Sequence, residues 1–273
     1  MADIKIKERN FSFSVEEAYK SLRTNLFFCG REKQVIAVTS CHPSEGKSTV
    51  SLNLAISLAE ADKSVIYIDA DLRNSTTLGK LTLSGERSGL AHFLSGQASY
   101  AEIICSTNYE NLSMILTGRF PPNPAELLGG SAFKLLLDQL RANFDYIIVD
   151  TPPVGSVIDG AIIAESCDGL IFILESNSTS YRFAQQVKEQ LEKTSCPILG
   201  VILNKVSSGS STYGKYGKYG RYGHYGRYGH YGRYGHYGNY GQSTGRPVSK
   251  KKQRYSGLFG KYRKFARKSK TKH

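Results

Sequence analysis

The stretch from Ser40 to Val50, SCHPSEGKSTV, constrains this chain most strongly. It follows an apolar run over residues 35–38 and leads into a segment of helical character that extends to about Glu60. A strand, a tight turn and a helix in this order bring backbone amides and the positive end of a helix dipole to one point, where an anion binds. The pattern predicts a phosphate-binding P-loop in an α/β fold.

Within this turn, Lys47 is expected to reach the β- and γ-phosphates of a nucleotide, and the Ser48 hydroxyl to bind Mg²⁺. Cys41 stands where the full G-x-x-x-x-G-K-[ST] pattern has its first glycine, so the match is incomplete. The predicted nucleotide-binding residues of the turn are Ser44, Glu45, Gly46, Lys47, Ser48 and Thr49.

Two further apolar runs end in carboxylates. Residues 64–68 lead into Asp69 and Asp71, and residues 146–149 lead into Asp150. The carboxyl ends of the strands line the ligand crevice of an open α/β sheet. Any one of these aspartates could cap a helix or close a turn, but three beside a P-loop favour a site that holds Mg²⁺ or its waters.

Strand and helix patterns alternate along residues 14–206. Further strands are predicted at 169–174 and 197–203, with a helix at about 180–193 between them, and another helix is expected from about Ala125. The pattern predicts an α/β domain of the P-loop NTPase type, with a mostly parallel sheet covered by helices on both faces. Residues 1–13 are expected to form a loose arm, followed by a helix from Ser14, its N-cap, to about Phe28.

Charge divides the chain near residue 207. The first 206 residues hold all 23 acids and 19 Lys and Arg, a net charge of −4, whereas the rest holds 17 Lys and Arg and no acid. The overall charge of +13 therefore belongs to the C-terminal part and does not indicate a DNA-binding domain. Five scattered cysteines are typical of a reducing cytoplasm, and no apolar run approaches the roughly 20 residues of a membrane span.

The C-terminal part has two segments, which are expected to be a disordered tail. Residues 207–245 carry a Tyr-Gly-X repeat without aliphatic residues to build a core. Residues 246–273 carry 12 Lys and Arg with interspersed apolar residues, and either rest on anionic lipid or only keep the chain soluble. The repeat tyrosines are Tyr213, Tyr216, Tyr219, Tyr222, Tyr225, Tyr228, Tyr231, Tyr234, Tyr237 and Tyr240.

On these motifs the chain resembles the bacterial tyrosine kinases (BY-kinases) of capsular and exopolysaccharide biosynthesis, in the split type whose cytoplasmic kinase is separate from its membrane activator. The resemblance covers residues 14–205 nearly continuously. Residues 46–49 match the family's Walker A motif, 68–73 its Walker A′, 147–153 its Walker B and 121–128 a common proline-containing loop. A C-terminal tyrosine cluster is the family's autophosphorylation substrate.

The resemblance implies roles for individual residues. Lys47 becomes the phosphate clamp for ATP, and Ser48, Asp69 and Asp150 the Mg²⁺ shell. Asp71 becomes the acceptor of the tyrosine proton, although Asp69 and Asp71 could exchange roles.

Arg73, two residues after the second Walker A′ acid, Asp71, is expected to contact the nucleotide. The family tends to have a proline where Asn74 and Ser75 follow it, and glycine is usual at Ser44.

The resemblance also implies partners. The family's oligomerisation motif, E-x-x-R-x-x-R, falls on Glu17, Lys20 and Arg23, with Lys20 replacing an arginine that binds in a bidentate fashion. We expect a ring of kinases that phosphorylate one another's tails, a membrane-anchored activator, an opposing protein tyrosine phosphatase, and recruitment from the cytoplasm to the inner face of the membrane.

Two other functions remain open at this point. A partitioning or cell-division-site ATPase shares the P-loop and the sheet, but usually carries a second lysine early in the P-loop, which residues 40–45 lack. The second alternative is a non-enzymatic protein that binds polyanions through the aromatic and basic residues of its tail. We expect no specific nucleic acid as a partner.

Overall fold

The computed structural model describes residues 3–7, 10–85 and 87–206. The strands are β1 (Ile4–Ile6), β2 (Val35–Ser40), β3 (Val65–Asp69), β4 (Leu81–Leu83), β5 (Cys105–Ser106), β6 (Leu112–Ile115), β7 (Tyr146–Asp150), β8 (Gly169–Glu175) and β9 (Ile198–Asn204). The helices are α1 (Phe13–Phe28), α2 (Lys47–Ala59), α3 (Leu90–Leu94), α4 (Tyr100–Ile103), α5 (Pro124–Leu128), α6 (Ser131–Arg141), α7 (Asp159–Ala164) and α8 (Tyr181–Leu191). The predictions made for residues 207–245 and 246–273 lie outside the described residues.

Seven of these strands form one sheet in the order β5-β6-β3-β7-β2-β8-β9. All neighbours from β6 to β9 are parallel, and only the short β5 pairs antiparallel with β6. The prediction of a mostly parallel sheet is therefore confirmed. Because β2 and β7 are adjacent and β3 follows, the ends of the three strands that carry the predicted site residues lie side by side.

Alternate residues of the central strands feed two separate cores. In β3, Ile66 and Ile68 pack with residues of α3 to α8, whereas Val65 and Tyr67 pack with residues of α1 and α2. Since successive side chains of a strand point to opposite faces, a strand apolar at every position must be covered on both. Helices on both faces, as predicted, provide that cover.

The prediction of a loose N-terminal arm is wrong for residues 4–6. These residues form β1, which pairs antiparallel with β4, and Ile4 and Ile6 are 0% and 3% exposed. The physical reason is the alternation of two isoleucines, which places both on one buried face of a short strand.

The predicted N-cap of α1 also needs correction. The helix begins at Phe13, and Ser12 rather than Ser14 occupies the cap position, two residues earlier than expected. The two hydroxyls lie 3.0 Å apart and bond to each other. In the part of the chain that the structure describes, no helix has the length and hydrophobicity needed to cross a bilayer.

Candidate active site

The turn between β2 and α2 has the backbone geometry of a P-loop. Gly46 adopts φ +94° and Ser44 φ +66°, both in the left-handed region that favours glycine. A Cβ on Gly46 would lie 2.1 Å from Nδ2 of Asn204, so any other residue would strain the backbone and displace the Asn204 side chain. Ser44 adopts this left-handed conformation although it is not a glycine.

A pocket of about 410 Å³ lies over this turn at the carboxyl edge of the sheet. Its lining includes seven of the predicted site residues: Ser44, Gly46, Lys47, Ser48, Thr49, Asp71 and Arg73. Glu45, predicted with them, does not line the pocket. Its carboxylate instead accepts hydrogen bonds from the backbone N–H of His42 and the hydroxyl of Thr179.

Lys47 is at the centre of the site. Its Nζ lies 2.9 Å from Oδ1 of Asp150, 3.9 Å from Oδ2 of Asp71 and 3.3 Å from Oγ of Ser48. All four residues are buried. The structure thus brings together a cation, a hydroxyl and two carboxylates that are distant in sequence, as the strand-end pattern predicted.

Asp69 and Asp150 are register partners on the adjacent strands β3 and β7, and both are buried. Burial raises the pKa of Asp69, and the charge of Asp150 raises it further, against a hydrogen bond from Ser75 and the charge of Lys47. Tyr67 donates its phenol hydrogen to Oδ2 of Asp150 at 3.1 Å. Tyr67 was not predicted as a site residue, because its position in an apolar strand indicated only core packing.

These oxygen ligands fit a magnesium ion. Within the described residues, no cluster of three or more His, Cys, Asp and Glu side chains is arranged to hold a metal by itself. Mg²⁺ in nucleotide sites is usually held by one or two carboxylates together with substrate phosphates and waters. Asp69 and Asp150 are adjacent buried carboxylates that share Lys47 as a neighbouring cation. Together with the Ser48 hydroxyl, they supply some of the oxygen ligands of such a site.

Arg73 makes a bidentate ion pair that sequence reasoning missed. Its Nε lies 2.6 Å from Oδ2 of Asp159, and its Nη2 lies 3.0 Å from Oδ1. The Asp159 side chain is fully buried, while that of Arg73 is 43% exposed at the pocket. A lone aspartate within the otherwise uncharged stretch 151–164 was the available signal.

The predicted oligomerisation residues separate into two sets of contacts. Glu17 and Lys20 form an exposed ion pair of 2.7 Å on α1. Arg23 turns inward and donates to the backbone oxygen of Ser57 on α2 at 2.6 Å. Arg23 therefore joins α1 to α2 within the chain.

A strand, a P-loop and a helix, followed by neighbouring strands that end in aspartates, define a nucleotide-binding protein of the P-loop class. In agreement, the sequence profile of a family described as "AAA domain" matches residues 33–196.

Curated relatives narrow this class. The chain is 43% identical over 202 residues to Tyrosine-protein kinase CpsD of Streptococcus agalactiae, covering 74% of this chain and 88% of the relative. It is 37% identical over 204 residues to Tyrosine-protein kinase YwqD of Bacillus subtilis strain 168, covering 74% and 86%. The chain belongs to the family of bacterial tyrosine-protein kinases, and it is a protein tyrosine kinase.

Solved structures agree. The chimerical protein CapA2B2 superposes with a TM-score of 0.68 at 30% identity, covering 76% of this chain and 94% of that one. The kinase domain of Escherichia coli tyrosine kinase ETK gives 0.66 at 31% identity, covering 76% and 84%. The septum site-determining protein MinD of Pyrococcus horikoshii OT3 gives 0.53 at 24% identity, covering 62% and 69%, and shares the fold. The comparisons favour the kinase over the partitioning-type ATPase.

Proposed function

We propose that this kinase uses ATP and Mg²⁺ to phosphorylate the repeat tyrosines in the tail of a neighbouring copy. The observation that carries the proposal is the buried group of Lys47, Asp150 and Asp71, of which Lys47 and Asp71 line the pocket. Phosphoryl transfer depends mainly on positioning and on charge stabilisation, and this group provides both a fixed cation and fixed carboxylates.

The chain's own residues would hold the nucleotide. The P-loop amides and the N-terminus of α2 bind the phosphates, and Lys47 exchanges its bond to Asp150 for the β- and γ-phosphate oxygens. Ser48, Asp69 and Asp150 would hold Mg²⁺, which would supply positive charge to offset the negative charge that develops during transfer.

Asp71 is the proposed acceptor of the tyrosine proton. It lies at the pocket, 3.9 Å from Lys47 Nζ, and its Oδ1 accepts a 3.0 Å hydrogen bond from the backbone N–H of Asn74. A free phenol has a pKa of about 10, so a carboxylate within hydrogen-bond reach helps to remove its proton as the phosphate arrives. Asp69 is less accessible, since it is 1% exposed and bound by Ser75.

The phosphoacceptor tyrosines lie outside the described residues, so their role rests on the sequence and on the family. Ten phosphates would add a charge of roughly −15 to −20, about enough to cancel the 17 positive charges that follow residue 206. The tail would change from a polycation towards neutrality. Residues 246–273, proposed to favour anionic lipid at the inner face of the membrane, would then detach more easily.

We further propose the setting that the family implies. The kinase controls capsular or extracellular polysaccharide synthesis and export, is activated by the cytoplasmic end of a membrane protein, and is opposed by a tyrosine phosphatase. Its ring would use the exposed pair Glu17 and Lys20, while Arg23, bound to Ser57, supports the helix from within.

Mass spectrometry of phosphotyrosine tests this function. The wild type and Lys47→Met would each be co-expressed with the activator's cytoplasmic segment. Phosphate on Tyr213 to Tyr240 that disappears in Lys47→Met is the expected result. Phosphate retained in Lys47→Met would assign the transfer to another kinase.

The salt dependence of binding distinguishes a polyanion-binding role of the tail from the proposed kinase function. Binding through the basic residues after residue 206 should weaken steeply with ionic strength and be unchanged in Lys47→Met. That behaviour, with no phosphotyrosine in the wild type, would favour the binding protein over the proposed kinase function.

A further inference from the structure

Glu45 directly precedes Gly46 and Lys47 in the P-loop, yet its side chain serves the loop rather than the pocket. The residue is 1% exposed. One carboxylate oxygen accepts the backbone N–H of His42 at 2.9 Å, and the other accepts the hydroxyl of Thr179 and lies 3.5 Å from the backbone N of Glu175. The first contact closes the P-loop on itself, and the other two tie it to the end of β8 and the loop that follows.

A buried carboxylate beside a phosphate site needs a structural reason. None of the ion pairs among the described residues involves Glu45. An ionised group buried without a cation is costly unless hydrogen bonds satisfy it, and its negative charge opposes a bound phosphate. The carboxylate of Glu45 therefore acts as a strong hydrogen-bond acceptor for the donors around it, and it does not contact the nucleotide.

Two further contacts fix the peptide groups of the same loop. Asn204 donates to the backbone oxygen of Glu45 at 2.8 Å, and Lys205 donates to the backbone oxygen of Ser44 at 2.8 Å. Because a trans peptide is planar, an oxygen held on one side sets the N–H of the next residue on the opposite side. Anchoring these two oxygens at the end of β9 thus sets the direction of the N–H groups of Glu45 and Gly46.

The start of α8 completes the arrangement. Thr179 lies two residues before α8, and Phe183, in the first turn of that helix, stacks on His42 with ring centroids 4.7 Å apart and an interplanar angle of 12°. The P-loop therefore contacts the first turn of α8 and the carboxyl ends of β8 and β9.

We propose that Glu45 is a positioning residue for phosphate binding, and that the hydroxyl of Thr179 holds it in place. The inference deepens the proposed nucleotide site: the P-loop keeps its shape because the end of β8 and the loop that follows it support the P-loop through this carboxylate. The pair acts on the nucleotide only through the backbone of the loop.

The substitution pair Thr179→Val and Thr179→Ser isolates the hydroxyl. Valine keeps the shape and removes the donor, while serine keeps the donor. We expect Thr179→Val to weaken the binding of ADP with Mg²⁺ about tenfold, which corresponds to about 1.4 kcal/mol, with a smaller change in kcat at saturating ATP. Thr179→Ser should bind within about twofold of the wild type.

Thr194→Val is the matched control, because Thr194 lies beyond the other end of α8 and its hydroxyl, among the residues that the structure describes, donates only to the backbone oxygen of Leu191. It should leave ADP affinity unchanged. Equal affinity of Thr179→Val and wild type would overturn the proposal, and so would equal weakening of the valine and serine variants, which would assign the effect to packing.

Hydrogen exchange of the backbone amides of residues 41–48, measured without nucleotide, keeps the test independent of kinase activity. The proposal predicts faster exchange there in Thr179→Val than in Thr179→Ser or Thr194→Val. Identical exchange in all three variants would contradict it even if the kinase function were established. Absence of phosphotyrosine in the wild type would reject the proposed function without affecting this comparison.

Discussion

The ammonium of Lys47 lies 2.9 Å from a carboxylate oxygen of Asp150, although the two residues are 103 positions apart. Lys47 begins α2 and Asp150 ends β7, so the contact joins the P-loop to the neighbouring strand of the sheet. Both side chains are nearly or fully buried, at 8% and 0% exposure. The same lysine that binds phosphate in the proposed mechanism therefore also balances buried acid in the folded protein.

Lys47→Met should for this reason destabilise the fold as well as remove activity. Breaking a buried ion pair by removing one partner costs about 3–5 kcal/mol. Adding Asp150→Asn to Lys47→Met should recover part of this loss, because the uncompensated carboxylate is gone. Urea unfolding of the two single variants and the double variant measures the coupling. Strictly additive losses would show that the two charges do not interact.

Asp71→Asn should separate catalysis from binding. If Asp71 accepts the tyrosine proton, its loss lowers kcat about 10²- to 10⁴-fold, while the affinity for ADP with Mg²⁺ changes by only a few-fold. Asparagine keeps the acceptor oxygen for the backbone N–H of Asn74, so the loop geometry is preserved. Single-turnover kinetics and calorimetric binding give the two quantities. An unchanged kcat would exclude Asp71 as the base.

The ion pair of Arg73 and Asp159 should respond asymmetrically to mutation. Arg73→Gln leaves a fully buried carboxylate without its cation and should lower the free energy of unfolding by about 3 kcal/mol. Asp159→Asn leaves a guanidinium that is 43% exposed and can be hydrated, so the loss should be about 1 kcal/mol. Thermal or urea unfolding without nucleotide distinguishes the two. A larger loss for Asp159→Asn would contradict the assignment.

The carboxylate of Asp168 should make a pH-dependent contribution to the free energy of unfolding. Burial alone would raise its pKa, but hydrogen bonds from Arg141 at 2.7 and 2.8 Å and from the backbone N–H groups of Gln34 and Val35 outweigh it, and the pKa lies below its ordinary value. A carboxyl with a lowered folded-state pKa stabilises the protein above its unfolded pKa of about 3.9. That stability disappears as the pH falls through the folded-state value.

Asp168→Asn should therefore lower the free energy of unfolding by about 2 kcal/mol near pH 7, and by progressively less below about pH 4. Urea unfolding of both proteins across this range measures the difference. A difference that stays constant with pH would show that the charge of Asp168 plays no part.

Much of the fold followed from local patterns. The apolar runs before Asp69 and Asp150 indicated buried parallel strands, and parallel strands bring their carboxyl ends to one edge. The convergence of Lys47, Ser48 and Asp150 follows from that geometry. The P-loop could be predicted because Gly46 and Lys47 occur between a strand pattern and a helix pattern.

What escaped prediction depends on contacts between distant segments. Glu45 was predicted to line the pocket because of its position in the P-loop. The fold shows instead that its carboxylate accepts a hydrogen bond from Thr179, which is 134 positions away. The ion pair of Arg73 with Asp159 was not predicted, because the two residues lie 86 positions apart in the sequence. Ile4 and Ile6 give too short a pattern to indicate a strand until β4 is beside them.

Phosphate transfer from one chain to the tail of another tests the proposed kinase activity directly. A donor with all ten repeat tyrosines changed to phenylalanine would be mixed with a Lys47→Met acceptor, ATP, Mg²⁺ and the activator's cytoplasmic segment. A kinase that acts in trans should place phosphotyrosine on the acceptor between Tyr213 and Tyr240, identified by mass spectrometry. ATP hydrolysis by the donor with no phosphotyrosine on the acceptor would contradict a kinase that acts in trans on its tail.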